Sequence, residues 1–197
     1  MKEVERVKKI GYVIDEAIGY FTPDISRINH LFKVYSYAKT IGEMENLDEK
    51  MQEILEVTAV LHDIGIKVSE EKYQSSAGCY QEIEGPGIAR KILEQLGYDE
   101  VFIERVCYII AHHHTYHEID GLDFQILVEA DFLVNIDEDQ MSKEAIQSIK
   151  EKIFKTRTGI NYINYLYLCS SKSIILGLSQ TDSFIIETFR VNNPYNK

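Results

Sequence analysis

Apolar residues recur at three- and four-residue steps along most of the chain, which is the spacing of one face of an α-helix. The first such segment spans residues 2–20 and carries Val4, Val7, Ile10, Ile14 and Ile18. Thr22-Pro23 predicts the start of a second helix, because Thr is a favourable N-cap and Pro fits the first helical position. This helix is expected to end at about Glu45, with a buried stripe of Ile25, Ile28, Phe32 and Tyr35.

Further helical segments follow along the rest of the chain. A third helix is predicted from Leu47 to Ile64, where Gly65 is placed to end it. Residues 66–80 are mostly polar and predict a loop of about 15 residues, a length that is often functional. Helices are then predicted over residues 84–97, 99–114, 122–136, 140–157 and 180–191, with an ambiguous aromatic run at 162–167.

Strand-like alternation is weak throughout, and no Pro- or Ser-rich linker divides the sequence. The pattern therefore predicts an all-α fold, a bundle of seven or eight helices that forms a single domain over residues 1–197.

Charge and composition narrow the possible partners. Acidic residues outnumber basic ones by 32 to 21, which gives a net charge of −11 and argues against a nucleic-acid surface. No apolar stretch approaches the roughly 20 residues of a membrane helix, so we expect no membrane partner. Three cysteines without a close pair favour a reducing compartment, and we expect a cytoplasmic protein. The acidic run 137–139 is expected to be solvated surface.

Two acidic residues fall where a core is predicted. The pair His62-Asp63 ends an apolar helix, and Asp131 lies within the hydrophobic run 126–134. Burying an ionised carboxylate costs several kcal/mol unless it is paired or bound to a metal. Simpler interpretations remain open, since Asp63 could be solvated at a helix end and Asp131 could accept hydrogen bonds from a neighbouring helix.

Histidines add to this pattern. His30 lies three residues after Arg27, on the same helix face, and four of the six histidines fall within positions 112–117. Alone, His30 could be an ordinary core or surface residue, and the cluster could be a solvated helix end. Together, one His, a His-Asp pair and an Asp in an apolar helix form a ligand set for a divalent ion such as Mn²⁺, Fe²⁺, Ni²⁺, Co²⁺ or Zn²⁺. The ligands must come from at least three helices, as in the cores of helical bundles.

This ordered set resembles the HD-domain metal-dependent phosphohydrolases. The matching residues are His30, Leu61-His62-Asp63-Ile64-Gly65 and Glu129-Ala130-Asp131, with Arg27 and the segment Gly85-Pro86-Gly87-Ile88-Ala89 in agreement. The resemblance covers about residues 25–136 and leaves a C-terminal helical extension at about 140–197. It implies that His30, His62, Asp63 and Asp131 are the metal ligands.

The sequence also departs from the family pattern. Many members carry another His four residues before Gly85, where this chain has Gln81, a poor ligand for which Glu82 could substitute. The resemblance therefore implies one divalent ion (Mn, Fe, Ni, Co, Mg or Zn) in preference to two. His112 and His113 lie where two-metal members place further ligands, and in a one-metal site they would face the substrate or the attacking water.

By the same resemblance, the chain is expected to hydrolyse a small phosphate ester or anhydride, with a nucleotide as one candidate, through a metal-activated water. Asp63, His112 or His113 could accept the water's proton. Arg27 is the best candidate for a bidentate phosphate contact, although a salt bridge with Asp24 is the plainer alternative. Lys67 and Gln81 complete the expected substrate contacts, Lys67 less firmly because the family's Lys position is Ile66 here.

Two other functions stay open. A di-iron oxygenase of the same fold would need the extra His ligands, and Gln81 disfavours it. A non-enzymatic metal- or nucleotide-binding module is the second. A homodimer is also open, since the aromatic residues Tyr162, Tyr165 and Tyr167 could pack the core, contact a second subunit or stack on a substrate.

Overall fold

The computed structural model describes residues 2–169 of the chain. Its helices are α1 (Lys2–Phe21), α2 (Ile25–Met44), α3 (Glu49–Leu61), α4 (Ile66–Tyr73), α5 (Gly78–Gln95), α6 (Glu100–Ile110), α7 (Leu122–Glu138), α8 (Lys143–Ile153) and α9 (Arg157–Ile163). Short helical turns occur at Tyr116–Glu118 and Asn164–Leu168. No strand occurs in this range, so the predicted all-α fold is confirmed. The helix predicted at 180–191 lies outside the described residues. No helix in residues 2–169 is both long and apolar enough to cross a membrane.

The second helix begins two residues later than predicted. Its N-cap is Asp24, whose Oδ1 accepts a hydrogen bond of 3.1 Å from the backbone N–H of Arg27. The hydroxyl of Thr22 instead donates to a carbonyl in the last turn of α1. Asp48 and Asp99 cap α3 and α6 in the same way as Asp24. A carboxylate at the N-cap also interacts favourably with the helix dipole, which explains why acidic residues mark these three starts.

The buried stripe of α2 differs from the predicted one. Ile25 is 65% exposed and Phe32 is 41% exposed, so both predictions are wrong. The face that packs into the core is instead Leu31, Val34, Ala38 and Ile41. Because the helix starts late, Ile25 lies in its first turn, at the edge of the bundle. The buried face of the helix begins at His30 and Leu31.

The loop predicted at 66–80 is mostly helical. Helix α4 occupies its first half, α5 begins at Gly78, and only residues 74–77 separate the two helices. Side chains of α4 hold it against α5, since Lys72 and Tyr73 both bond to Glu84 at 2.6 and 2.8 Å. The polar composition of this segment therefore reflects a short helix with a solvent-facing side, which composition alone does not separate from a loop.

Helices α2, α3 and α7 pack against one another and form the centre of the domain. Leu55, Leu61, Phe124 and Leu127 are fully buried among them. Helices α5 and α6 pair on the far side of α3, and α1 lies against α3 as well. The central three helices are the ones that carry the four predicted metal ligands.

A buried carboxylate anchors the C-terminal helices to this centre. Glu129 is fully buried, and one of its oxygens accepts hydrogen bonds from Gln125 Nε2 and from the N–H groups of Lys155 and Thr156, at 2.8, 2.6 and 2.9 Å. Burial raises the pKa of Glu129, and these hydrogen bonds oppose that shift. Glu129 thus fixes the turn before α9 to the helix that carries Asp131.

The turn after His62-Asp63 touches the backbone of α5 directly. A Cβ atom at Gly65 would lie 2.6 Å from the carbonyl oxygen of Gln81 and 2.7 Å from the backbone nitrogen of Gly85. Both distances are shorter than a carbon atom can keep from these groups. Glycine at position 65 therefore allows the end of α3 to approach α5 closely.

Replacing Gly65 with Ala is expected to lower the free energy of unfolding by about 1–3 kcal/mol, the usual cost of overpacking, because two backbones must move apart. Gly87→Ala is the matched control, since it lies in α5 with no atom within 4 Å of its Cβ position, and it should stabilise the protein by about 0.5–1 kcal/mol. Urea denaturation of both metal-free variants measures the difference. Equal unfolding free energies would contradict the close approach.

Candidate metal centre

Four ligand atoms converge at the centre of the domain. His30 Nε2 lies 3.4 Å from His62 Nε2, 3.6 Å from Asp63 Oδ2 and 3.3 Å from Asp131 Oδ1. His62 Nε2 lies 3.5 and 3.6 Å from the same two carboxylate oxygens. Such spacings separate neighbouring ligands around one ion whose bonds are about 2.0–2.2 Å long. The structure therefore brings together all four predicted metal ligands.

The four predicted ligands come from α2, α7 and the end of α3. His30 lies in the second turn of α2, and Asp131 lies in the middle of α7. Helix α3 ends at Leu61, so His62 is its C-cap and Asp63 already belongs to the following turn. Neighbouring side chains on a helix point about 100° apart, so two adjacent residues within a helix could not easily reach one ion. Because α3 ends before them, His62 and Asp63 can both face the same point.

Hydrogen bonds orient these side chains. His62 Nδ1 donates to the carbonyl oxygen of Ala59 at 2.9 Å when it carries the ring proton, which leaves Nε2 as a free lone pair for an ion. Asn135 Nδ2 donates to Asp131 Oδ1 at 2.9 Å from one turn further along α7. The ligand atoms are thus held in place by the protein itself.

A second group shares Asp63 with the first. Ligand atoms of Asp63, His113 and His114 all lie within 4.8 Å of one another, and Asp63 Oδ1 is 3.6 Å from His113 Nε2. The Nε2 atoms of both histidines are buried without a hydrogen-bond partner in the described structure. Leaving a buried polar atom unpaired costs about 1–3 kcal/mol, so the pair is arranged for a ligand that is not a protein group.

Comparison with known proteins agrees with this geometry. The family model described as HD domain matches residues 27–155. The chain belongs to the HD-domain family. A predicted HD superfamily hydrolase from an uncultured Thermotogales bacterium has a crystal structure that resembles this fold, with a TM-score of 0.59, 22% sequence identity and coverage of 91% of this chain and 90% of that one. No curated protein matches the chain. These findings support a metal-dependent hydrolase in general.

One histidine expected in this HD site lies outside it. His112 Nδ1 bonds to the carbonyl oxygen of Tyr108 at 2.7 Å, and its Nε2 faces Glu118 at 3.4 Å. Of the predicted pair His112 and His113, only His113 faces Asp63. The second imidazole near Asp63 belongs to His114, which the sequence did not single out. Helix α6 ends at Ile110, and the turn that follows carries positions 113 and 114 inward.

Two features of α5 make room for His114. A Cβ atom at Gly78 would fall on the imidazole ring of His114, so only glycine leaves space for the ring at position 78. Glu82 Oε1 accepts the backbone N–H of His114 at 3.0 Å and the hydroxyl of Thr115 at 2.9 Å. Glu82 therefore holds the turn in place, and the expectation that it could substitute as a ligand finds no support in its geometry. Gly78 was the one feature of the sequence that pointed to His114, but without the fold a glycine does not indicate which side chain lies against it.

The predicted substrate contacts are engaged elsewhere. Arg27 lies 3.3 Å from Asp24 and 2.6 Å from Glu70, so the salt-bridge alternative is the one found. Lys67 Nζ donates to the carbonyl oxygen of Tyr20 at 3.1 Å. Gln81 Nε2 donates to a loop carbonyl at 2.8 Å, while its Oε1 is buried and unpaired. A substrate role for these residues stays a prediction.

The charges of the predicted metal ligands favour a bound cation. Burial opposes ionisation of Asp63 and Asp131, but neighbouring histidines hold the pKa of each carboxyl well below its usual range. Burial likewise opposes the charged form of His62, yet Asp63 and Asp131 outweigh it and raise the pKa of His62 to about 9. Without an ion, a proton on His62 therefore offsets part of the charge of the two carboxylates. Burial also opposes the charged form of His30, but Asp131 and Asp63 raise its pKa as well. Burial, with His113 beside it, lowers the pKa of His114 to about 4, so His114 is neutral, the form that binds metals.

Metal binding at this site should therefore release protons. Because the pKa of His62 is about 9, an ion must displace a proton at any lower pH, and the apparent affinity for Mn²⁺ should rise by up to about tenfold per pH unit from pH 6.5 to 8.5. Calorimetry in buffers of different ionisation enthalpy should detect about one proton released per first ion near pH 7.5. An affinity that is constant over this range would contradict the assignment of His62.

Proposed function

We propose that this HD domain is a metal-dependent phosphohydrolase that hydrolyses a small phosphate ester or anhydride, with nucleotides among the candidates. One observation carries the proposal: at the centre of the domain, the Nε2 atoms of His30 and His62 lie 3.4 Å apart, and each lies 3.3–3.6 Å from a carboxylate oxygen of Asp63 and of Asp131. The family match supports the general class of metal-dependent hydrolase, and the choice of a phosphate substrate is our inference.

The ligand set suits particular ions. Two imidazoles with two carboxylates match the preferences of Mn²⁺, Fe²⁺, Co²⁺, Ni²⁺ and Zn²⁺. His30, His62, Asp63 and Asp131 would hold such an ion, and the bound ion would lower the pKa of a water ligand toward neutrality and polarise a phosphoryl oxygen. The charge of the two carboxylates equals that of one such ion, so binding leaves the buried centre neutral.

A second ion fits the group of Asp63, His113 and His114. The sequence favoured one ion because Gln81 replaces a family ligand, but His114 supplies an imidazole from a different element. Asp63 turns Oδ2 to the first group and Oδ1 to the second, and the unpaired Nε2 atoms of the two histidines are ready to bind. The shared carboxylate supports a centre with two ions.

Side chains at the rim complete the proposed chemistry. Arg27 lies one turn before His30 on α2, and its guanidinium is already bound to the exposed carboxylate of Glu70. A phosphate group would compete with Glu70 for the guanidinium of Arg27. Substrate binding would then release Glu70, and with it α4, from Arg27. In a centre with a single ion, Asp63 Oδ1 would be free to accept a hydrogen bond from the attacking water, and His113 beside it could accept the proton.

A second candidate function follows from the shared carboxylate. Two neighbouring groups joined by Asp63 also suit a di-iron centre that activates oxygen. Metal content and oxygen uptake separate the two functions, since a purified protein with two irons that consumes oxygen and leaves phosphate esters intact would favour the oxygenase.

Hydrolysis is tested by screening the metal-loaded protein against phosphorylated metabolites and nucleoside mono-, di- and triphosphates with Mn²⁺, Mg²⁺, Co²⁺, Ni²⁺ and Fe²⁺. For the substrate that is found, His62→Ala and Asp63→Ala should lower kcat/KM by more than about 100-fold, because loss of a ligand costs more than the 10–100-fold of an outer partner. His117→Ala, at a side chain 83% exposed, should change neither activity nor metal content. Full activity in either ligand variant would overturn the assignment.

The number of ions is tested with a matched pair of adjacent histidines. After equilibrium dialysis against Mn²⁺, the wild type and His112→Ala should hold two ions per chain, whereas His114→Ala should hold one, because only His114 belongs to the second group. Inductively coupled plasma mass spectrometry gives the ratio. A wild type with a single ion would overturn the second site and leave the first intact.

A further inference from the structure

One face of α7 carries more than a metal ligand. Asp131, Asn135 and Glu138 recur at four- and three-residue steps and lie on the same side of the helix. Glu138 Oε2 lies 2.9 Å from His30 Nδ1, and its Oε1 accepts a 2.8 Å bond from Lys33 Nζ. We propose that Glu138 is a positioning residue for His30. Its carboxylate keeps the proton on His30 Nδ1 and thereby turns His30 Nε2 toward the ion. The inference rests on the metal centre proposed above.

The position of His30 in its helix explains why it needs such a partner. His62 and His113 each use the carbonyl oxygen three residues earlier, Ala59 at 2.9 Å and Ile110 at 2.7 Å. Both follow a helix end, where the last carbonyl groups have no partner within the helix. His30 lies inside α2, whose carbonyl groups one turn earlier are engaged in the helix. An acceptor for its Nδ1 proton must therefore come from another helix.

The location of Glu138 also favours a specific role. It is the last residue of α7, where the negative end of the helix dipole disfavours a carboxylate by about 0.3–1 kcal/mol. The acidic run 137–139 was expected to be solvated surface, yet its middle member bonds to both His30 and Lys33. These two bonds across the α2–α7 contact offset the unfavourable helix position. A carboxylate bonded to a ligand imidazole also makes the ring a stronger donor to the metal.

Three variants separate positioning from packing. Glu138→Ala removes the acceptor, Glu138→Gln keeps an acceptor oxygen without the charge, and Lys33→Met breaks the ion pair but leaves the bond to His30. The control is Glu84→Gln, whose carboxylate pairs with Lys72 at 2.6 Å and bonds to Tyr73, outside the metal centre. The dissociation constant of the tightest Mn²⁺ ion is measured by calorimetry at one fixed pH for every variant.

Glu138→Ala should weaken this binding by about 10–100-fold, the usual effect of losing an outer partner of a metal ligand. Glu138→Gln should recover part of the loss, while Lys33→Met and Glu84→Gln should stay within about threefold of the wild type. In the Co²⁺-loaded protein, NMR should show a paramagnetically shifted, exchangeable ring N–H of His30 in the wild type and in Glu138→Gln, and lose it in Glu138→Ala.

Wild-type affinity in Glu138→Ala would overturn the inference and leave the metal centre standing. An equal loss in Lys33→Met would also overturn it, because the ion pair between α2 and α7 would then be the cause. A wild type that binds no divalent ion would overturn the proposed centre and this inference together.

Discussion

The need to bury two ionised carboxylates at the centre of an apolar bundle governs the rest of this structure. Asp63 and Asp131 lie among helices whose inward faces are largely hydrophobic but also bury polar side chains such as Glu56 and Glu129, and a carboxylate there is costly without positive charge or hydrogen bonds beside it. Imidazolium protons supply that charge in the metal-free protein, which is why the pKa of His62 is raised to about 9. A divalent ion bound there would take the place of the protons, since each imidazole Nε2 lies 3.3–3.6 Å from both carboxylate oxygens, the spacing of neighbouring ligands.

Several features distant from the ligands serve this arrangement. Helix α3 must end at Leu61 so that two consecutive residues face one point, and the glycine at position 65 allows the following turn to touch α5. Glu129 ties α7 to the C-terminal helices through backbone N–H groups, and this fixes the helix that carries Asp131. The close approach at Gly65 and the bonds of Glu129 thus fix two of the elements that carry the predicted ligands.

The hydrophobic pattern was sufficient for the helical fold. The four predicted ligands also needed the resemblance to HD domains, because the stripe predicted for the second helix did not include His30 and was partly wrong. The pattern was insufficient where a turn decides the direction of a side chain. His112, His113 and His114 are chemically identical in the sequence, and only the end of α6, with the space left at Gly78, determines which two face inward. Helix α4 was missed for a related reason, since its contacts with α5 are polar and its sequence resembles a loop.

The same uncertainty applied to Arg27, whose spacing from His30 agreed equally with a phosphate contact and a salt bridge. The pair with Asp24 is local and was foreseen, but the pair with Glu70 depends on how α4 packs, which the sequence pattern does not show. Glu138 illustrates the opposite case. An acidic run at the end of a helix is usually solvated, and only the position of α2 beside α7 gives its middle member a partner.

Charge balance connects the number of ions to the substrate of an acidic protein. One divalent ion only neutralises Asp63 and Asp131, so a centre with one ion attracts an anionic substrate weakly and depends on Arg27, which Asp24 and Glu70 already neutralise. A second ion brings no further carboxylate, because Asp63 is shared and His113 and His114 contribute neutral imidazoles. The centre then carries two net positive charges inside a chain of net charge −11. In the proposed centre, the sharing of one carboxylate between two groups would thus allow an acidic domain to present a positive site to a phosphate.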